Sequence, residues 1–359
     1  MKTALHSKIV TLLLVLPLLA FSSGWKGKHT KEKTLHKEYN VSANATLEVD
    51  NSYGNLEIVT WSENRIVIDV TITTNGNNDE KVQKKLDQID VDFDATSNRV
   101  SAKTRFNKNG KSWWNWGKNN VNMKINYVIK MPITNNVDLS NDYGSINLDK
   151  LEGDAEISCD YGKITTKELM STNNDLDFDY TKNSYFEYIG GGSINADYSG
   201  YTVGSTKNLD IDADYTKSEI EIAEDITYDC DYGSLTVQKA NTIDGNGDYL
   251  ALRIGEVYDS VNVEADYGSM KIDKMTANAG DVTVNSDYMK ITIGFDASYS
   301  FDFELDLQYA SFRGKDDLEV NKEHIKSSSK YYQGYHGSQN SGNKIKINSE
   351  YGSVTFNKN

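Results

Sequence analysis

Proline and cysteine are almost missing, with two of each in 359 residues. Histidine and arginine number five each, and after one apolar stretch at the start the chain never again strings together the roughly 20 apolar residues that a membrane helix needs. Few His and Arg leave little material for acid-base or anion-binding sites. His6 lies in the leading stretch, while His29, His36, His324 and His336 sit in polar segments without metal-ligand spacing. Positive charge is short as well: 38 Lys and Arg stand against 53 Asp and Glu, a formal charge of −15. That balance argues against nucleic acid or an anionic membrane as a general partner and favours cations and basic partners.

Lys2 and Lys8, the apolar run "IVTLLLVLPLLAF" and the small residues Ser22, Ser23 and Gly24 form the three-part layout of a secretory signal peptide. Residues 1–22 are expected to be removed, giving an exported chain destined for periplasm, envelope or medium, with no transmembrane segment and a charge of about −17 once Lys2 and Lys8 leave. Residues 23–42 read as a polar, basic linker.

What is abundant is Asp-Tyr, which occurs nine times. Aligned tyrosines fall at 143, 161, 180, 198, 215, 232, 249, 267, 288 and 309, with Tyr351 last; the steps are 17 to 21 residues, then 42. A fixed period near 20 is the signature of a solenoid, in which one coil cannot bury its apolar face without its neighbours. Six and four residues before each Tyr lie apolar pairs such as Leu209 and Ile211 or Val261 and Val263, alternating with polar residues as in a half-buried strand. Three and five residues after Tyr the apolar residues return, as in Met270 and Ile272. The inward phase has moved from even to odd, so the chain turns a corner at Asp-Tyr-Gly. Tyr143, Gly144, Tyr161, Gly162, Tyr232, Gly233, Tyr267 and Gly268 are therefore read as structural corners, with Gly supplying positive φ or a bulge and Asp accepting a backbone N–H two residues on.

Coils stacked about 4.8 Å apart turn each column into a ladder, and the tyrosine column gains offset aromatic contacts of roughly 0.5 to 1.5 kcal/mol per pair. Cys159 and Cys230 share one column but stand four coils apart, on the order of 19 Å, whereas a disulfide needs Cα atoms within about 7 Å. No disulfide is expected. A coil perimeter of only about 60 Å is filled by side chains. Binding then falls to a face, an end or an insertion.

Residues 43–61, containing "LEVDNSYGNLEIVTW", fit the template as a first coil around Tyr53. Residues 62–132 read as a β-rich capping insertion with one short helix in "NDEKVQKKLDQI", where Val82, Leu86 and Ile89 share a face. Trp113, Trp114 and Trp116 cluster within it and are either a cover for a sheet or an exposed platform for sugar, cell wall or an interface. The repeat occupies 133–359. Its Gly/Ser/Tyr-rich excursion at 327–343 reads as a disordered loop.

Positions one, three and five before Tyr point outward and hold 21 acids in 33 places. Repulsion along such a ladder needs corner hydrogen bonds, the lysines Lys163, Lys182, Lys217 and Lys290, or bound cations. Asp175, Asp177, Asp179, Asp210, Asp212 and Asp214 are the candidate metal positions for loosely held calcium, although nonapeptide and EF-hand spacings are missing. No other cofactor is implied.

With its signal peptide, the early "LEVDNSYGNLEIVTW", the Pro-ended "YVIKMP" and the repeated "NDYGSINL" and "EADYGSMKI", the chain resembles the "putative adhesin" family of bacterial domains over roughly residues 40 to 359. The resemblance implies a single-stranded β-helix at a surface or envelope location, and adhesion to a glycan, cell-wall or protein surface. The expected fold is thus all-β: a β-solenoid of 17–21-residue coils, right-handed because parallel crossovers usually are. The expected function is a noncatalytic binding module, set against a structural envelope scaffold and a β-helix carbohydrate-active enzyme.

Overall fold

Alternation of apolar and polar residues becomes strand almost everywhere in the computed structural model, which describes residues 25–107 and 121–359. The fold is all-β: 27 strands belong to one hydrogen-bonded sheet, joined among the described residues by one α-helix and a 3-10 turn at Lys315–Asp317. Residues 1–22, read from the sequence as a signal peptide, and Trp113, Trp114 and Trp116 lie outside the described residues.

In each repeat the strand before Tyr pairs in parallel with its counterpart one repeat away. Ile157 lies opposite Leu139, and Leu209 opposite Ile226, which in turn lies opposite Ile243. The strand after Tyr does the same, carrying Val203 to Ile220, Val237 and Ile254 without a slip. Val261, Val263 and Ala265 are buried before Tyr267, and Met270, Ile272 and Met275 after it. Continuing the first strand unchanged would aim Tyr267 inward. Instead it takes φ 54° and stands 46% exposed. The left-handed residue at the corner is thus the tyrosine and not the following glycine, contrary to the sequence reading. All twelve tyrosines of the series, Tyr53 included, lie between φ 50° and 67°. The glycine serves closeness: a Cβ at Gly162 would overlap the carbonyl oxygen of Gly144 in the neighbouring repeat.

At the N-terminal end, β1 (His29–Asn40), β2 (Thr46–Ser52), β3 (Leu56–Trp61), β4 (Arg65–Gly76), α1 (Asp79–Asp87), β5 (Ile89–Ala95), β6 (Arg99–Phe106) and β7 (Val121–Pro132) build a cap. On one side β2 and β3 pair with the repeat strands β8 (Asn136–Asp142) and β9 (Ser145–Leu148). On the other they pair in parallel with β6 and β7, so the insertion lies outside the first repeat. Antiparallel β5, β4 and β1 then continue the sheet, and Val82 and Leu86 of α1 are buried. The linker expected at 23–42 is largely β1, in register with β4 along its whole length. Its lysines misled: Leu35 and Tyr39 between them pack on the core, while Lys31 and Lys33 reach Asp79 and Asp90 at 3.1 and 3.3 Å.

The C-terminal end departs further from sequence order. Strand Lys344–Glu350 lies between Val282–Asp287 and Phe301–Gln308, with Ile345 opposite both Val282 and Phe303. Strand Ser353–Lys358 likewise lies between Lys290–Phe295 and Ser311–Arg313. The last repeat is therefore inserted before the penultimate one. The excursion expected to be disordered supplies strand Ser329–His336, antiparallel to Phe301–Gln308 and followed outward by Glu319–Ile325. Burial of Tyr332 and His336 against the aromatic end of the core outweighs the flexible composition.

Candidate binding surface

The corner φ turns each tyrosine ring out of the core, and the shared register lays the rings on one another. Tyr53, Tyr143, Tyr161, Tyr180, Tyr198, Tyr215, Tyr232, Tyr249, Tyr267, Tyr288, Tyr351 and Tyr309 stack in that spatial order, with centroids 4.8 to 5.2 Å apart and ring planes within 8° of parallel. Ring faces are spent on each other. What meets solvent is a ribbon of ring edges and hydroxyls, about half exposed from Tyr143 to Tyr309. Burial against neighbouring rings, together with nearby tyrosines and aspartates, raises the phenol pKa at Tyr161, Tyr232, Tyr267 and Tyr351.

Each corner also bonds to the next. The Tyr161 N–H donates to Asp179 O at 3.0 Å, and the pattern runs through Tyr267 to Asp287 O. The aspartate before each Tyr was expected to close its own turn. In the seven from Asp160 to Asp266, Oδ1 instead accepts the backbone N–H of the equivalent aspartate one repeat on: Asp197 to Asp179 at 3.0 Å, Asp231 to Asp214 at 3.1 Å, Asp287 to Asp266 at 2.8 Å. One oxygen of each of these seven carboxylates is thereby committed to the backbone ladder.

These carboxylates crowd. Burial, then neighbouring acids, raises the pKa of Asp142, Asp177 and Asp229; at Asp214 the same causes outweigh the bond from the Asp231 backbone. Of the lysines expected to offset the charge, Lys217 pairs with Glu219 at 2.6 Å and not with the aspartate column. Asp175 and Asp177 are separated from Asp210 and Asp212 by a repeat bearing Ser193 and Asn195, and Ser193 Oγ donates to Asp175 at 3.1 Å. Among the described residues no group of three or more His, Cys, Asp or Glu is placed to hold a metal ion.

Cys159 and Cys230 are free and buried, and burial pushes both thiols up to about 12. His29 and His36 lie on β1 beside Asp79 and Asp69, while His324 and His336 lie in the C-terminal hairpin. Among the described residues no helix is long and apolar enough to cross a membrane. Sequence reasoning found the tyrosine column but not its exposure; the signal was the parity change, which places Tyr itself on the side that must be turned out.

No family model matches the chain, and no curated protein does. Among solved structures it is similar to a "putative cell adhesion protein" of Clostridium sporogenes, with 11% identity over 92% of this chain and 100% of that one and a TM-score of 0.22. It is also similar to a "putative adhesin" of Parabacteroides distasonis, with 10% identity over 90% and 97% and a TM-score of 0.33. A "putative lipid binding protein" of the same species gives 13% identity over 92% and 98%, with a TM-score of 0.28. Likenesses at these scores carry no binding residue or activity across.

Proposed function

We propose that the protein is an exported, noncatalytic binding module: a β-solenoid rod whose tyrosine ribbon meets a glycan, cell-wall or protein surface. The observation that carries the reading is that twelve corners hold tyrosine at positive φ and that eleven of them, all but Tyr53, turn the ring to solvent. A left-handed φ costs about 1 to 2 kcal/mol in a side-chain-bearing residue, and Gly or Asn meets the same backbone need more cheaply. Strain of this kind gathers at functional sites. The parallel register of the repeats supports the rod, and the signal-like start of the sequence supports export. Edges and hydroxyls recurring at the strand spacing suit a partner with a repeating polar surface, such as a polysaccharide. Trp113, Trp114 and Trp116 are the second proposed contact.

The test is retention of the mature chain on purified cell wall and on immobilised polysaccharides. Wild type is compared with a Tyr198, Tyr215 and Tyr232 to Asn triple variant and with a Trp113, Trp114 and Trp116 to Ala triple variant. Asn keeps the left-handed corner while deleting the ring. Binding by wild type that falls at least about tenfold in the Tyr variant supports the ribbon as the contact. Binding lost only in the Trp variant moves the contact to the cap, and no binding by wild type leaves the rod as an envelope scaffold.

A further inference from the structure

The eleven rings from Tyr143 to Tyr309 stand 46 to 62% exposed in one unbroken row. Centroid steps of 4.8 to 5.2 Å barely exceed the strand spacing, so each ring is displaced little from the last and the ribbon runs along the rod. With about half of a roughly 200 Å² side chain in water at each of these corners, the ribbon presents on the order of 1,100 Å² of aromatic surface. The largest apolar patch on a typical monomer is about 300 to 600 Å², and each partner in a stable interface gives up about 800 Å². The ribbon is therefore large enough to hold a partner by itself.

Its two flanks differ in charge. Each corner from Tyr143 to Tyr288 follows an aspartate, which lies on the face before the corner. The face after the corner carries the exposed Lys163, Lys182, Lys217 and Lys290 two residues past Tyr, and Arg253 and Lys271 two residues further on. Lys163, Lys182 and Lys290 enter no ion pair among the described residues. Opposite them, Asp179 and Asp266 spend Oδ1 on the backbone ladder and keep the second oxygen for another contact.

We propose that a second copy of this chain covers the ribbon, the two rods lying side by side and parallel about a two-fold axis along their length. The inference rests on the reading of the ribbon as the contact surface and names its partner. A phenol hydroxyl both donates and accepts, so a row of them is complementary to its own copy, and identical columns at one spacing meet in register, as paired sheets do in a steric zipper. Charge then selects the direction. Half a turn about the long axis sets the lysine flank of each rod against the aspartate flank of the other, along both edges of the seam. Turning the second rod end over end instead sets aspartates against aspartates. At about 0.15 M salt the screening length of about 8 Å damps repulsion between the distant acids of the two chains more than attraction between flanks in contact.

Sedimentation equilibrium of the mature chain at that salt, with no glycan present, should show a monomer–dimer equilibrium. A carbodiimide, which joins amine to carboxylate, is then applied to an equal mixture of heavy-isotope and ordinary chains, so that links between copies are told from links within one. Links between copies should join Lys182 to Asp179 and Lys290 to Asp287, residues of the same repeat. A Lys163→Glu, Lys182→Glu, Lys290→Glu variant should weaken the dimer by at least about tenfold, because each reversed charge acts on both edges of the seam. These side chains lie outside the ladder, which guards against a folding defect; the Tyr198, Tyr215 and Tyr232 to Asn variant should weaken the dimer as well. A wild-type chain that stays monomeric at about 100 μM, a dimer that the lysine changes leave intact, or links between copies that join opposite ends of the rod would overturn the proposal. A monomer that polysaccharide still retains through the same three rings would overturn the pairing alone and leave the ribbon as a contact surface.

Discussion

Replacing Tyr215 by Ala and by Gly separates the two things a corner tyrosine does. Its ring stacks on Tyr198 at 4.8 Å and on Tyr232 at 4.9 Å, and the residue is 49% exposed at φ 53°. Two stacks at about 1 kcal/mol each are lost in either variant. Burial of about half of a roughly 200 Å² side chain, near 25 cal/mol per Å², adds about 2.5 kcal/mol. Ala keeps a Cβ in the left-handed region and should cost about 4 to 5 kcal/mol in all. Gly relieves about 1 to 2 kcal/mol of strain while adding about 0.5 to 1 kcal/mol of chain entropy. The Gly variant should therefore be the more stable of the two by roughly 0.5 to 1 kcal/mol, the reverse of the usual order within a strand. Urea midpoints followed by circular dichroism, with unchanged slopes, measure the difference. An Ala variant as stable as the Gly variant, or more so, would refute a left-handed corner at this position.

Gly162→Ala should cost about 2 to 3 kcal/mol, because the new Cβ meets the Gly144 carbonyl and neither backbone can move without breaking the ladder. Gly200→Ala, where the new Cβ would meet nothing nearer than Lys217 O at 4.0 Å, should instead raise stability in the same assay by about 0.5 to 1 kcal/mol. Both thiols should resist a disulfide reagent at about pH 8 in the folded protein and react fully after unfolding without reductant; rapid native reaction, or two missing thiols, would count against buried free cysteines. Asp142, Asp177, Asp214 and Asp229 have raised carboxyls, so the folded state holds their protons more tightly than the unfolded state and stability should rise as pH falls towards their unfolded values. Glu48, Asp149, Asp296 and Glu304 are lowered and give up their contribution only at lower pH, as it falls towards their folded values. Melting at about pH 4.8 should thus be higher than at about pH 6.5, and a lower value at pH 4.8 would contradict the crowding of the acidic ladder.

The period, the strands and the corner positions were legible because burial on one side of a strand forces alternation, and a change of phase can only be made at a bend. The short helix was legible too, from Val82 and Leu86, although Ile89 belongs to β5. Which corner residue takes positive φ was not, since composition favours Gly and only the parity shows that Tyr must turn out. The role of the aspartates was hidden for another reason: their donors lie 17 to 21 residues away, beyond any local turn rule. Non-local pairing likewise hid β1 and Ser329–His336, whose Lys-rich and Gly/Ser-rich compositions imitate linkers. The spacing of 42 residues between Tyr309 and Tyr351 gave no hint that the later ring stacks first on Tyr288.

The most direct test of the continuous ladder is oxidative cross-linking of paired cysteines at its reordered end. Lys290 and Ser311 each lie opposite Ser353, on its two sides. Under mild oxidation the Lys290→Cys, Ser353→Cys pair should form a disulfide, whereas the Lys290→Cys, Ser311→Cys pair, separated by the intervening strand, should not. A disulfide in the second pair and none in the first would contradict the insertion of the last repeat, and with it the unbroken row of twelve rings.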